Sequence, residues 1–289
     1  MERGAIQTVI MDGKVLRDET LERLRQRIVA AGNPHISLAT VLVGDDAPSH
    51  TYVASKHKMA NSVGIRSVGV QLPTDASQAD LEQAVEKLVD DPSVHGILIQ
   101  MPLPTHLDTD AVLRLVPAEK DVDGLTEASL GRLVRGIDGH VGCTPLGVLR
   151  LLQRYDIPTS GKHAVVVGRS TLVGLPLAVL LARKGIDCTV TLAHSRTPDL
   201  IDVCRSADIL ISATGMARSI TADHVKTGAA VIDVGISRTE AGIVGDVDFD
   251  AVIGVAGALT PMPGGTGVMT VASLLENTLA AARMQGISV

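Results

Sequence analysis

The stretch VVVGRSTLVGLPLAVLLARKG, residues 165–185, decides the fold. A β-branched apolar run meets a glycine turn at Gly168, and an apolar segment of helical period follows from Gly174. A turn placed directly between strand and helix lets backbone N–H groups and the helix dipole hold phosphate. The spacing, Gly168-Arg169-Ser170 with Gly174 beyond, is not the GxGxxG fingerprint, so taken alone the turn is equally an ordinary strand-to-helix connection. Around it, strand-like runs at 163–167 (HAVVV), 188–193 (CTVTLA), 208–212 (DILIS) and 230–234 (AVIDV) alternate with helix-period segments at 174–184 and 198–205. This alternation predicts βαβ units and a mainly parallel sheet.

Upstream the same alternation recurs: runs at 36–43 (ISLATVLV), 67–72 (SVGVQL) and 96–99 (GILI) are separated by helix-period segments near 14–31, 49–63 and 77–90. A chain of 289 residues exceeds the usual size of one core. We therefore expect an α/β protein of two lobes with mainly parallel sheets, the second Rossmann-like, and an active site in the cleft between them. A boundary falls around 140–160, where GHVGCTPLG opens a helix running to about Tyr155 and DIPTSGKH supplies breakers. That helix is expected to bridge the lobes. After Phe249 the loop ALTPMPGGTG leads into a helical tail from Met269 to about Met284. No internal repeat interrupts this plan.

Composition excludes several classes. Hydrophobic residues make up 45% and charged residues 20%, which argues for packed cores rather than disorder. A net charge of −6, no Trp, two Tyr and one Phe leave neither a phosphate-binding footprint nor base-stacking platforms, so nucleic acid is not an expected partner. No run of about 18 apolar residues suggests a membrane span, and MERGAIQTVIMDGK does not read as an export leader. Three cysteines without paired spacing argue against a disulfide framework and fit the reducing cytoplasm. Nine histidines form no HExxH-type cluster, and no metal is expected.

The end of the second strand of a dinucleotide-binding lobe often carries a carboxylate for the ribose 2′-hydroxyl. Here it carries His194-Ser195-Arg196-Thr197. Arg169 and Arg196 could neutralise a 2′-phosphate that a carboxylate would repel, which favours NADP over NAD; the plainer reading of Arg196 is a solvated loop charge. Ile236, after the strand at 230–234, stands where a nicotinamide-facing residue would lie.

In the first lobe, Tyr52 and Lys56 stand four apart and share one helix face. A lone lysine on such a face is ordinarily a solvated charge, but Tyr52 offers one of few surfaces for stacking on an aromatic ligand. Short-chain dehydrogenases use the same Tyr-x-x-x-Lys spacing after an N-terminal cofactor turn; here the order is reversed. Gln100, ending the strand GILI, could hold the Lys56 amine or satisfy local backbone. KDVDG places Asp121 and Asp123 in a glycine turn, where Asp123 could accept hydrogen bonds from an amino-pyrimidinone edge or serve as a turn residue before Gly124. Cys143 lacks a histidine or CxxC partner and reads as structural.

In order along the chain, TYVASK, GILIQMPLP, KDVDG, GCTPLG, VVGRSTLVGLP, HSRT, VIDVGIS, GDVDF and TPMPGGTG resemble the methylenetetrahydrofolate dehydrogenase/methenyltetrahydrofolate cyclohydrolase family over essentially the whole length. The resemblance implies NADP-dependent oxidation of 5,10-methylenetetrahydrofolate and hydrolysis of the methenyl product to 10-formyltetrahydrofolate, in one-carbon metabolism that supplies purine biosynthesis. It implies that Lys56 handles protons, Gln100 tunes it, Tyr52 stacks on the aminobenzoyl group and Asp123 grips the pterin, with Pro263 and Gly264 also at the substrate. Gly168, Arg169, Ser170, Ser195, Arg196 and Ile236 would surround NADP. A discontinuous folate domain, 1–143 plus 268–289, would enclose a nucleotide domain of 144–267, and a homodimer is implied. Val268 departs from the family's usual proline and keeps an N–H that proline lacks. Two other classes remain: an NADP dehydrogenase of an amino or hydroxy acid, and a non-catalytic NADP-binding protein.

Overall fold

The computed structural model describes residues 6–240 and 242–289. Residues 1–5, part of the segment read as lacking a leader, and Ala241 lie outside the described residues. In chain order the elements are β1 (Val9–Ile10), α1 (Gly13–Ala30), β2 (Ser37–Val43), α2 (Ala47–Val63), β3 (Arg66–Leu72), α3 (Gln78–Asp90), β4 (Gly96–Ile99), α4 (Thr109–Leu115), α5 (Glu127–Arg135) and α6 (Cys143–Arg154). They continue with β5 (His163–Val167), α7 (Gly174–Ala182), β6 (Thr189–Ala193), α8 (Leu200–Arg205), β7 (Ile209–Ser212), β8 (Ala230–Asp233), β9 (Ser237–Thr239), β10 (Gly242–Val244), α9 (Phe249–Val252), β11 (Ala258–Leu259) and α10 (Thr266–Met284). Two compact units result: Asp18–Cys143 with Val271–Val289, and Thr144–Thr270 with the N-terminal segment through Arg17.

The first unit is built on a parallel three-stranded sheet ordered β3-β2-β4. β2 is central and buried at every residue, which is why ISLATVLV is mostly apolar and lacks a polar alternation; β3 lies at the edge and mixes half-buried with exposed residues. α3 begins with a capping box, Ser77 and Asp80 satisfying each other's backbone N–H, and buries Leu81, Val85 and Leu88 along one stripe. Its last carbonyls receive a cation: Lys120 Nζ donates to the carbonyls of Val89 (2.8 Å) and Asp91 (2.9 Å). The other end of that anchor matters for the site. Ile97 N donates to Lys120 O (2.8 Å), laying the KDVDG segment along β4.

The second unit carries a parallel six-stranded sheet ordered β6-β5-β7-β8-β11-β1. Counted from β5 the order is 2-1-3-4-5, a common doubly wound arrangement whose switch point lies between β5 and β7. Gly168 sits at that point: its N–H donates to Ala193 O (2.9 Å), and Ala213 N donates to Val167 O (2.8 Å). The N-terminal segment corrects the expected partition. Val9 N donates to Gly257 O and Met11 N to Leu259 O, both at 2.9 Å, so β1 extends this sheet rather than the first unit's. A two-residue edge strand has no periodicity to read. The short α4 and α5 and the β9–β10 hairpin likewise lie outside the sequence expectation.

Gly124 and Gly136 both have φ +67°, so any other residue there incurs left-handed strain of about 1–2 kcal/mol. A Cβ at Gly136 meets open space, whereas one at Gly124 would lie 2.6 Å from Gly142 N. Gly124→Ala should therefore lower stability by at least about 1 kcal/mol more than Gly136→Ala. Urea unfolding of both variants tests this, and equal losses would contradict the packing described.

Candidate active site

In the first unit, α2 runs from the Asp46 cap, whose carboxylate accepts from Ser49 N (3.0 Å), to Gly64 in the left-handed region. His57 fastens it to the sheet, its Nε2 lying 2.7 Å from Thr40 Oγ1 on β2. This orientation buries Lys56, which keeps only 9% of its surface exposed. Its Nζ donates to Gln100 Oε1 (2.8 Å), and Gln100 Nε2 donates in turn to the carbonyl of Met101 (2.6 Å). Gln100 follows β4 directly, and its own N–H donates to Val41 O (2.9 Å). The amide cannot swing freely, so its oxygen faces the amine.

Asp121 and Asp123 divide the work of the KDVDG turn. The Asp121 carboxylate accepts from Leu125 N (3.2 Å) and Thr126 N (2.9 Å) and so holds the turn. Asp123 accepts no backbone N–H among the described residues, and the Cys143 thiol lies beside it. Burial pushes the Asp123 carboxyl up, against the Lys56 charge and the thiol, which pull it down. Burial likewise lowers the Lys56 amine, against the Asp123 charge. The Cys143 thiol is pushed well up by burial and by Asp123, and remains protonated at neutral pH. Tyr52, one turn away on α2, is 40% exposed. The structure thus joins Lys56, Gln100 and Asp123, and adds Cys143, which pattern reading left as structural.

In the second unit, Gly168 takes φ +124°, and a Cβ there would overlap the Ala213 carbonyl; one at Gly174 would overlap the Gly168 carbonyl. The turn between them is open: Arg169 and Ser170 are exposed, with Ser170 Oγ accepting from Val173 N (3.2 Å). Beside it, after β6, a second turn forms as His194 N donates to Thr197 Oγ1 (2.9 Å) and Arg196 N to His194 Nδ1 (3.2 Å). Ser195 and Arg196 are exposed there. The α7 N-terminus and two arginine-bearing turns make a cradle suited to a phosphorylated dinucleotide.

Two buried aspartates brace the next loops. Asp233 accepts from Gly235 N (2.9 Å), Asp246 N (3.0 Å) and Val247 N (2.9 Å). Asp246 Oδ2 accepts from Ser212 Oγ (3.0 Å) and Thr214 N (2.6 Å). A Cβ at Gly235 would overlap the Asp246 carboxylate, and one at Gly245 that of Asp233, which accounts for both glycines. Burial pushes Asp233 up to about 6, opposed by its backbone donors. Thr266 Oγ1 donates to Asp233 O (2.8 Å), and Ile236 Cδ1 lies 3.7 Å from where a Gly267 Cβ would stand. Gly264, in the same unit, accepts at its carbonyl from Gly13 N (2.8 Å), while Pro263 is exposed. No cluster suited to a metal ion occurs among the described residues.

A lysine-centred polar site on one α/β unit and a dinucleotide-type switch point on another define a class of two-unit nucleotide-binding proteins. Residues 11–123 match the tetrahydrofolate dehydrogenase/cyclohydrolase catalytic domain and residues 142–286 its NAD(P)-binding domain, and the chain belongs to this family. It is 50% identical over 278 residues to the bifunctional protein FolD of Methanoculleus marisnigri, covering 96% of this chain and 97% of that one. The solved bifunctional FolD enzyme of Campylobacter jejuni superposes with a TM-score of 0.93 at 42% identity, over 96% of this chain and 99% of that one. The Trypanosoma brucei N5,N10-methylenetetrahydrofolate dehydrogenase-cyclohydrolase, solved with NADP cofactor and an inhibitor, gives 0.90 at 37% identity, over 96% and 98%.

Proposed function

We propose that the chain oxidises 5,10-methylenetetrahydrofolate with NADP and hydrolyses the methenyl product to 10-formyltetrahydrofolate. The observation that carries this reading is the buried Lys56 amine, held at 2.8 Å by Gln100 beside Asp123, in a chain of this family. Two features support NADP here: Gly168 and Gly174 leave room only for backbone at the turn, and the exposed Arg169 and Arg196 offer charge for a 2′-phosphate. When bound, NADP accepts the hydride from the methylene carbon. Tyr52 stacks on the aminobenzoyl group, Asp123 accepts from the pterin edge, and the two together align the reacting carbon. In the hydrolysis, Lys56 takes a proton from the water attacking the methenyl carbon and supplies one to the departing ring nitrogen, with one proton released overall. Gln100 keeps the amine aimed at that step. Pro263 and Gly264 contribute a substrate-facing loop, and Ser170 and Ser195 add donors to the phosphates. The folate domain corresponds to the unit of 18–143 and 271–289, and the nucleotide domain to the unit of 144–270 with the N-terminal segment through Arg17.

Three free, buried cysteines support a reducing, cytoplasmic location, and no helix among the described residues is long and apolar enough to cross a membrane. A homodimer, and a role supplying one-carbon units to purine biosynthesis, rest on the family resemblance. An amino- or hydroxy-acid dehydrogenase would lack a use for Tyr52, Lys56, Gln100 and Asp123 together. A non-catalytic nucleotide binder would lack one also.

Two variants test the reading. Arg196→Ala should lose roughly ten- to a hundredfold in NADP affinity while affecting NAD little, because one charge-assisted contact is worth about 1.5–3 kcal/mol. Titration with both nucleotides decides it, and a parallel loss for both would refute the 2′-phosphate assignment. Lys56→Met keeps an unbranched stem without the amine. Cyclohydrolase activity should fall about 100- to 10,000-fold, with the dehydrogenase hurt less and methenyltetrahydrofolate accumulating. Product time courses, corrected for spontaneous hydrolysis, check this; undiminished 10-formyltetrahydrofolate formation would rule Lys56 out as the proton carrier.

A further inference from the structure

Asn277 lies in the middle of α10 and is 6% exposed, among Leu274, Leu275, Leu279 and Ala281 of an apolar cluster. Asparagine is a poorer helix former than alanine, and a buried amide is unfavourable unless its hydrogen bonds are made. Here they are made outside the helix. Nδ2 donates to Val122 O (2.8 Å) and to Val141 O (2.9 Å), and Cys143 Sγ lies 3.9 Å from it. Two carbonyl acceptors on one side fix which end of the amide faces them, since only an NH2 group can serve both.

Those carbonyls are well placed to matter. Val122 O belongs to the peptide that leads into Asp123, and it also accepts from the Cys143 thiol (3.3 Å). Val141 precedes the Gly142–Cys143 step, against which Gly124 packs without room for a Cβ. One side chain therefore ties the turn bearing Asp123 to the segment bearing Cys143. We propose that Asn277 is a positioning residue for the folate reaction, fixing the Asp123 peptide through Val122 O so that the carboxylate meets the pterin edge already aimed. This rests on the assignment of Asp123 to the pterin.

The test is a double-mutant cycle on the full-length protein, reading KM and kcat for 5,10-methylenetetrahydrofolate alongside NADP affinity and melting temperature. Asn277→Ala should raise the folate KM roughly tenfold with a smaller change in kcat and unchanged NADP affinity. In the Asp123→Ala background it should add less than about twofold, because the group it aims is gone. Asn277→Ser, which keeps a donor on a compact side chain, should give a smaller rise with the same non-additivity, and it carries the test if the alanine variant does not fold. A merely structural residue would lower melting temperature and act additively. A folate KM unaltered by Asp123→Ala sinks the pterin assignment and the inference with it; a full Asp123 effect with an additive Asn277 effect sinks the inference alone.

Discussion

A buried amine must be given a partner, and the 2.8 Å bond from Lys56 Nζ to Gln100 Oε1 is the constraint on which the rest of the site depends. Without it, burial would leave an ammonium group unsolvated or strip its proton altogether. With it, the buried amine keeps a hydrogen-bond acceptor. Burial lowers its proton affinity and the nearby Asp123 charge restores part of it. A lowered proton affinity is what the proton-carrying role proposed for Lys56 requires. The framework around it is set by the sheet: the Thr40–His57 side-chain contact seats α2, β4 delivers Gln100, and the Ile97–Lys120 backbone bond lays the Asp123 turn along the sheet.

The second unit solves a different problem, close approach. At the switch point, Gly168 and Gly174 remove the Cβ atoms that would strike backbone carbonyls. Gly235 and Gly245 do the same for a crossed pair of aspartates. Asp233 and Asp246 hold backbone N–H groups of the loops after β7 and β8, so the region around Ile236 is shaped by buried acceptors rather than by apolar packing alone. Asp246 Oδ1 has no hydrogen-bond partner among the described residues, and Asp233 is the carboxyl pushed up, to about 6.

Much of this was legible in the chain. β2, β4, β5, β7 and β8 are predominantly apolar runs because, apart from the half-buried His163 that opens β5, every residue in them is buried, and burial on both faces leaves a pattern that needs no partner to be read. The 52–56 spacing follows from helix geometry alone. β1 and β11 are two residues each and exist because they pair with one another, a fact about distant chain that periodicity does not carry. Asn277 escaped for the same reason: its contact with Val122 spans 155 residues, and within α10 it reads as one more polar position. Cys143 showed no partner nearby in sequence, and its neighbours Asp123 and Val122 became visible only in space.

If burial against polar neighbours holds Lys56 poised, the ionisation of its amine is where that hold can be read. Side-chain-labelled lysine, followed by NMR across pH and assigned by the resonance that disappears in Lys56→Met, reports the titration of this group alone. The midpoint is expected clearly below the ordinary lysine value of about 10.4. A Lys56 amine titrating at or above that value would contradict it, since a fully charged, solvent-like lysine could not exchange protons with the reacting water near neutrality.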